Sequence, residues 1–100
     1  MKSGYKIEWT NHTLSELKTT YDYLEQNWSE KELSKLSNEI ERTLSLISQN
    51  PQIFSQTKGK SIRRVVILKY NTLYYRVKEG DRVEILSFFS NRQHPDKRKT

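Results

Sequence analysis

The chain contains no cysteine. That absence excludes a disulfide framework, a zinc site built on thiolates and a thiol nucleophile, and it fits a reducing compartment. Long apolar runs are missing as well. Nothing approaches the ~18 residues of a membrane-spanning helix, and the mean hydropathy is -0.93. Met1 to Tyr5 holds no apolar stretch of the secretory kind, so a cytoplasmic protein with no membrane partner is expected. A glycine-rich phosphate loop, a His-x-Glu-x-x-His spacing and paired carboxylates on neighbouring strand ends are absent too. Neither a metal nor another cofactor is therefore expected. What is present is one core's worth of chain, 100 residues read as a single domain.

The net charge of +6 is unevenly distributed. Residues 1–57 carry 6 Lys+Arg against 8 Asp+Glu, whereas residues 58–100 carry 12 against 4. The first part is slightly acidic and the second strongly basic. Such segregation points to an acidic partner rather than to a uniformly solvated surface.

Tyr5 to Trp9 alternates apolar and polar residues, the period of a half-buried strand. Thr13 and Glu16 have the spacing of a capping box, and Leu14, Leu17, Tyr21, Leu24 and Trp28 then recur along one helical stripe. Ser29 and Glu32 repeat the box, with Trp28 and Leu33 placed as a hydrophobic staple. Leu33, Leu36, Ile40, Leu44 and Ile47 form a second stripe, which Asn50-Pro51 ends. A polar loop over 51–61 precedes strands at Ile62 to Leu68, Thr72 to Lys78 and Arg82 to Phe89, with turns at Tyr70-Asn71 and Glu79-Gly80-Asp81. The order is β-α-α-β-β-β. It implies an α+β fold in which a helical hairpin packs on one face of a small, mainly antiparallel sheet. Residues 91–100 form a basic polar tail.

Alternation sorts the strand residues into faces. Leu73, Tyr75 and Val77 share one face of the middle strand, and Tyr74, Arg76 and Lys78 the other. Strict alternation in the last strand sets Val83, Ile85 and Ser87 against Glu84, Leu86 and Phe88. Arg63 and Arg64 fall on opposite faces of the first of these three strands, Ile62 to Leu68. One face must meet the helices, so the other presents Tyr74, Arg76 and one of the two arginines. Arginine and tyrosine on an open sheet can hold phosphate and stack on bases, which makes Arg63, Arg64, Tyr74, Arg76, Arg92, Lys97 and Arg98 candidates for binding a target or nucleic acid. His12 reads as a solvated residue before the first helix. His94 lies among basic residues after the last strand, where proton transfer in phosphodiester cleavage is chemically feasible.

The segment from Thr72 to Lys97, with a strand ending Tyr75-Arg76-Val77, a tight turn, Ile85-Leu86 and then Asn91-Arg92-Gln93-x-Pro95, resembles the C-terminal signature of the RelE/ParE superfamily of bacterial type II toxin–antitoxin toxins. The Ile7-Glu8-Trp9 strand, the helical hairpin and the Asn50-Pro51 stop extend the resemblance over nearly the whole chain. It implies a growth-inhibiting, plasmid-stabilising type of toxin, neutralised by a cognate antitoxin within a hetero-oligomer. One branch of the superfamily is a ribosome-dependent mRNA endoribonuclease. Of three positions at which that branch carries its catalytic set, only Arg92 matches; Thr72 stands in place of an arginine, and Arg98 lies near the place of a tyrosine. The resemblance therefore favours ParE-like inhibition of DNA gyrase without chemistry of its own. The alternatives are ribonuclease action through Arg64, Arg92 and His94, and a non-toxic basic nucleic-acid-binding module. Leu46, Ile53 and Phe54 are apolar positions left for an antitoxin groove.

Overall fold

The computed structural model describes residues 4–27, 29–57 and 61–90. Its elements are β1 (Lys6–Trp9), α1 (Asn11–Asn27), α2 (Glu30–Gln49), β2 (Ile62–Ile67), β3 (Asn71–Lys78) and β4 (Arg82–Ser90). They follow the expected β-α-α-β-β-β order. The sheet runs β1-β4-β3-β2, with β1 parallel to β4 and the other pairs antiparallel. Leu24, Leu36, Ile40 and Ile47 of the helices and Ile67, Leu73, Tyr75, Val83, Ile85 and Phe88 of the strands form one core between helices and sheet. The α2 stripe is buried as its periodicity implies. Ser29 caps α2, its Oγ accepting from Glu32 N; the staple residue Trp28 lies outside the described residues.

The start of α1 departs from expectation. Thr10, not Thr13, caps the helix: Thr13 N donates to Thr10 Oγ1 at 3.2 Å and Leu14 N to Thr10 O at 3.0 Å. His12 is consequently inside the first turn rather than before it, exposed, with Nε2 3.3 Å from Glu16 Oε2. The supposed box residues serve the tertiary fold instead. Thr13, wholly buried, donates its hydroxyl to Ile85 O at 2.9 Å, as does Thr10. Burial centres on Thr13, Thr20 and Leu24, which turns Leu14 outward to 47% exposure while Leu17 and Tyr21 pack beside the core.

The last strand is also not strictly alternating. Tyr74 pairs with Ser87 but Tyr75 with Ile85, so β4 holds one extra residue at a bulge. The shift reverses the faces beyond it: Phe88 and Ser90 are buried, and Phe89 is 41% exposed. The bulge leaves donors without a strand partner, and Glu16 receives them. Its Oε1 accepts from Phe88 N at 2.8 Å and from Ser87 Oγ at 2.9 Å.

The β2–β3 connection begins two residues before Tyr70-Asn71 and ends one residue earlier. Ile67 pairs with Asn71, so Leu68 to Tyr70 make the turn and Asn71 belongs to β3, where its Nδ2 donates to Ile67 O at 3.0 Å. Leu68 and Lys69 take positive φ of 53° and 72°. No glycine marks this turn, which hides it from sequence. The β3–β4 turn lies where expected, with Gly80 at φ 79° and Asp81 at 56°.

Two stability measurements test these readings. Glu16→Ala leaves the Phe88 amide without its acceptor and is expected to cost about 1–3 kcal/mol in urea unfolding; Glu16→Gln, which keeps an acceptor oxygen, should cost less. Lys69→Gly relieves a left-handed L-residue and is expected to raise the unfolding free energy by up to ~1 kcal/mol, read as a higher urea midpoint at unchanged slope. A loss would show that the Lys69 side chain holds the turn.

Candidate functional site

Helices cover one face of the sheet and leave the other open. Across it, Arg64 stands opposite Tyr74, Val66 opposite Thr72, and Ile62 opposite Arg76. Thr72 in turn faces Phe89 across β3–β4, and Arg76 faces Glu84. The open face thus carries an apolar row, Val66-Thr72-Phe89, beside the Arg64–Tyr74 pair. Val66 at 58% is the most exposed of the described large hydrophobic residues.

The basic residues of this face are not equivalent. Arg76 Nε lies 2.8 Å from Glu84 Oε1. Lys78 Nζ and Arg82 Nη1 approach the two oxygens of Glu8 at 3.6 and 3.5 Å. These pairs add little stability at such exposure, but they cancel positive charge within the strongly basic half of the sequence. Arg64 is exposed and makes no ion pair with a described residue. Its guanidinium is therefore available, next to a phenol ring and an apolar row.

Arg63 takes the other face. It is opposite Tyr75 in register and half-buried, and its Nη1 donates to Phe54 O at 2.8 Å. Tyr75, with no exposed surface, donates its hydroxyl to Pro51 O at 2.7 Å. Together they tie the 51–57 loop to the sheet. Burial pushes the Tyr75 phenol above its ordinary value of 10.0, while the Arg63 guanidinium and the Phe54 backbone draw it partly back.

Of the sequence-derived candidates, the structure brings Arg64, Tyr74 and Arg76 onto one face, with Arg76 held by Glu84, and sets Arg63 behind them in a packing role. Arg92, His94, Lys97 and Arg98 lie outside the described residues. The alternation argument missed Phe89, because only the bulge turns it to the open side. It also passed over Glu84, which stands opposite Arg76, and Glu8, which registers with Glu84 and reaches Lys78 and Arg82 from there. Among the described residues no group of His, Asp and Glu could hold a metal ion, and no helix is long and apolar enough to cross a membrane.

Two helices packed on three antiparallel strands and a parallel edge strand make the α+β arrangement that the resemblance to the RelE/ParE-type toxins implies. The comparisons agree. Residues 7–95 match the family described as the ParE toxin of the type II toxin–antitoxin system, parDE. The chain belongs to that family, whose members are the toxins of such pairs. The structure is similar to a solved chain of the chromosomal ParDE toxin–antitoxin system from P. aeruginosa, with a TM-score of 0.70 and 18% identity over 86% of this chain and 95% of that one. At that identity the likeness speaks for the fold. No curated protein matches in sequence.

The Tyr75 geometry makes a pH prediction. Above pH 10.0 the unfolded chain releases the Tyr75 proton while the folded chain still holds it. Its contribution is therefore complete below that value and is lost as pH rises from it towards the raised folded value. Tyr75→Phe is expected to lose about 1 kcal/mol at neutral pH through the Pro51 hydrogen bond, and to show a shallower alkaline decline in unfolding free energy than the wild type. Parallel declines would refute the assignment.

Proposed function

We propose that this toxin inhibits growth by binding DNA gyrase through the open face of its sheet, without cutting a substrate. In this reading it acts in the cytoplasm and is kept inactive by a cognate antitoxin in a hetero-oligomer. The observation that carries the reading is the composition of the face. Arg64 is flanked by Tyr74 and by the apolar row Val66-Thr72-Phe89. An arginine and aromatic anchors set beside apolar surface suit a protein interface, where a few such residues supply most of the binding energy. The same row holds Thr72 at the position where the ribonuclease branch resembled by the sequence carries an arginine, so a guanidinium for transition-state charge is missing there.

The antitoxin follows from family membership and from charge. A net +6 concentrated in the second half of the chain calls for an acidic neutraliser.

Purified chain added to purified gyrase should inhibit supercoiling. Arg64→Ala and Tyr74→Ala should each weaken inhibition by about tenfold or more, with unchanged unfolding midpoints. Arg76→Ala, already committed to Glu84, should change it less. Undiminished supercoiling at stoichiometric excess overturns gyrase as target. New 5′ ends on mRNA from induced cells would support instead the ribonuclease reading through Arg64, Arg92 and His94.

A further inference from the structure

Strand β2 is an outer edge of the sheet, and its sequence, Ile62-Arg63-Arg64-Val65-Val66-Ile67, is rich in β-branched residues. An exposed edge of that kind is a template for another strand. In this structure the segment 51–57 lies along the first half of it. Thr57 N donates to Ile62 O at 2.7 Å and Arg64 N donates to Ser55 O at 3.0 Å, around a bridge between Gln56 and Arg63. Two side chains anchor the segment from behind, Arg63 to Phe54 O and Tyr75 to Pro51 O. The Thr57 hydroxyl is buried with no partner among the described residues, so backbone pairing, these two anchors and the packing of Phe54 against the core hold the segment.

We propose that residues 51–57 are an edge guard, locked by Arg63, that keeps β2 from pairing with β2 of a second copy of this chain. The register shows why the guard is placed where it is. Ile62 and Arg64 direct their edge groups outward, and alternation gives Val66 the same orientation. Two β2 strands can pair antiparallel about Val65, which sets Arg64 of each copy opposite Val66 of the other and keeps the arginines apart. That register needs the Arg64 N–H, and the guard occupies it. With the guard in place the outer edge beyond Arg64 offers only Val65 to Ile67, too short a run to sustain a pair. Arg63 is well suited as the lock. Its charged donor on a backbone carbonyl makes a stronger hydrogen bond than a neutral group would, and its position on the helix-side face keeps it out of the functional surface.

The test uses Arg63→Met, which keeps the aliphatic stem and removes the donors, and Thr57→Pro, which removes the N–H that pairs with Ile62 O. In Arg63→Met the amides of Thr57 and Arg64 should exchange with solvent about tenfold faster or more, while those of Leu73 and Tyr75 in the sheet interior stay protected. In Thr57→Pro the Arg64 amide reports the same release. Both variants should then show concentration-dependent dimers in sedimentation velocity that are absent from the wild type. Adding Val66→Lys, which places charge on the paired edge, should return Arg63→Met to the monomer. Unchanged protection of the Arg64 amide in both variants overturns the proposal. So does a released guard without gain of self-association, or a dimer that Val66→Lys leaves intact.

Discussion

The carboxylate of Glu16 is the point on which the sheet's two-sided character depends. The extra residue in β4 lets Phe88 enter the core while turning Phe89 out, and it exposes the Phe88 amide and the Ser87 hydroxyl to a region with no strand partner. Glu16 accepts both. Thr10 and Thr13 fasten the preceding turn of α1 to Ile85 O, immediately before the bulge. Side chains from Thr10 to Glu16 thus make four hydrogen bonds to a single short stretch of β4. An unmet amide in such a place costs more than the average hydrogen bond contributes, so the bulge and the helix N-terminus stabilise each other. Without that docking β4 would favour a regular ladder, which would put the aromatic residues beyond it on the wrong sides.

The charge distribution gains its meaning only in three dimensions. The described part of the basic half forms three strands of the sheet, but Glu84 lies against Arg76, and Glu8, from the acidic half, reaches Lys78 and Arg82. The β1–β4 pairing brings Glu8 there, since Glu8 registers with Glu84 across the two strands. The resulting face is not a uniform positive plate of the sort that tracks a phosphate backbone. Among the described residues it has Arg64 without an ion pair next to aromatic and apolar surface, a pattern closer to a specific protein contact than to counterion release.

Element order, the α2 stripe and the split of Arg63 from Arg64 were legible because each rests on a local period: 3.6 in Leu36, Ile40 and Ile47, and 2 in the strands. The failures have a common physical source. Thr13 has the chemistry of a cap and Glu16 that of its partner, yet both side chains find stronger calls from a strand more than seventy residues away. A bulge adds one residue without any compositional mark, so Phe88 and Phe89 exchange faces unseen. Leu68 and Lys69 adopt left-handed backbone without glycine or asparagine, because the Asn71 side chain closes the turn onto Ile67 O. For the candidate site, Arg64 and Tyr74 were readable from alternation. Their isolation from the paired cations was not, since it depends on a parallel contact between the two ends of the chain.

The consecutive arginines show how the fold divides its labour. The pleat sends Arg63 toward the helices, where it holds Phe54, and Arg64 toward the open face. The 51–57 segment then receives the Arg64 backbone N–H while leaving the Arg64 side chain exposed. In the proposed function, one residue's main chain closes the edge while its side chain is left for recognition. The edge can therefore be sealed without covering the open face, and Arg63, which holds the segment, lies on the face opposite Arg64 and Tyr74. Such separation allows the binding face to vary in sequence while the sheet edge stays closed, because the two functions share a strand but no side chain.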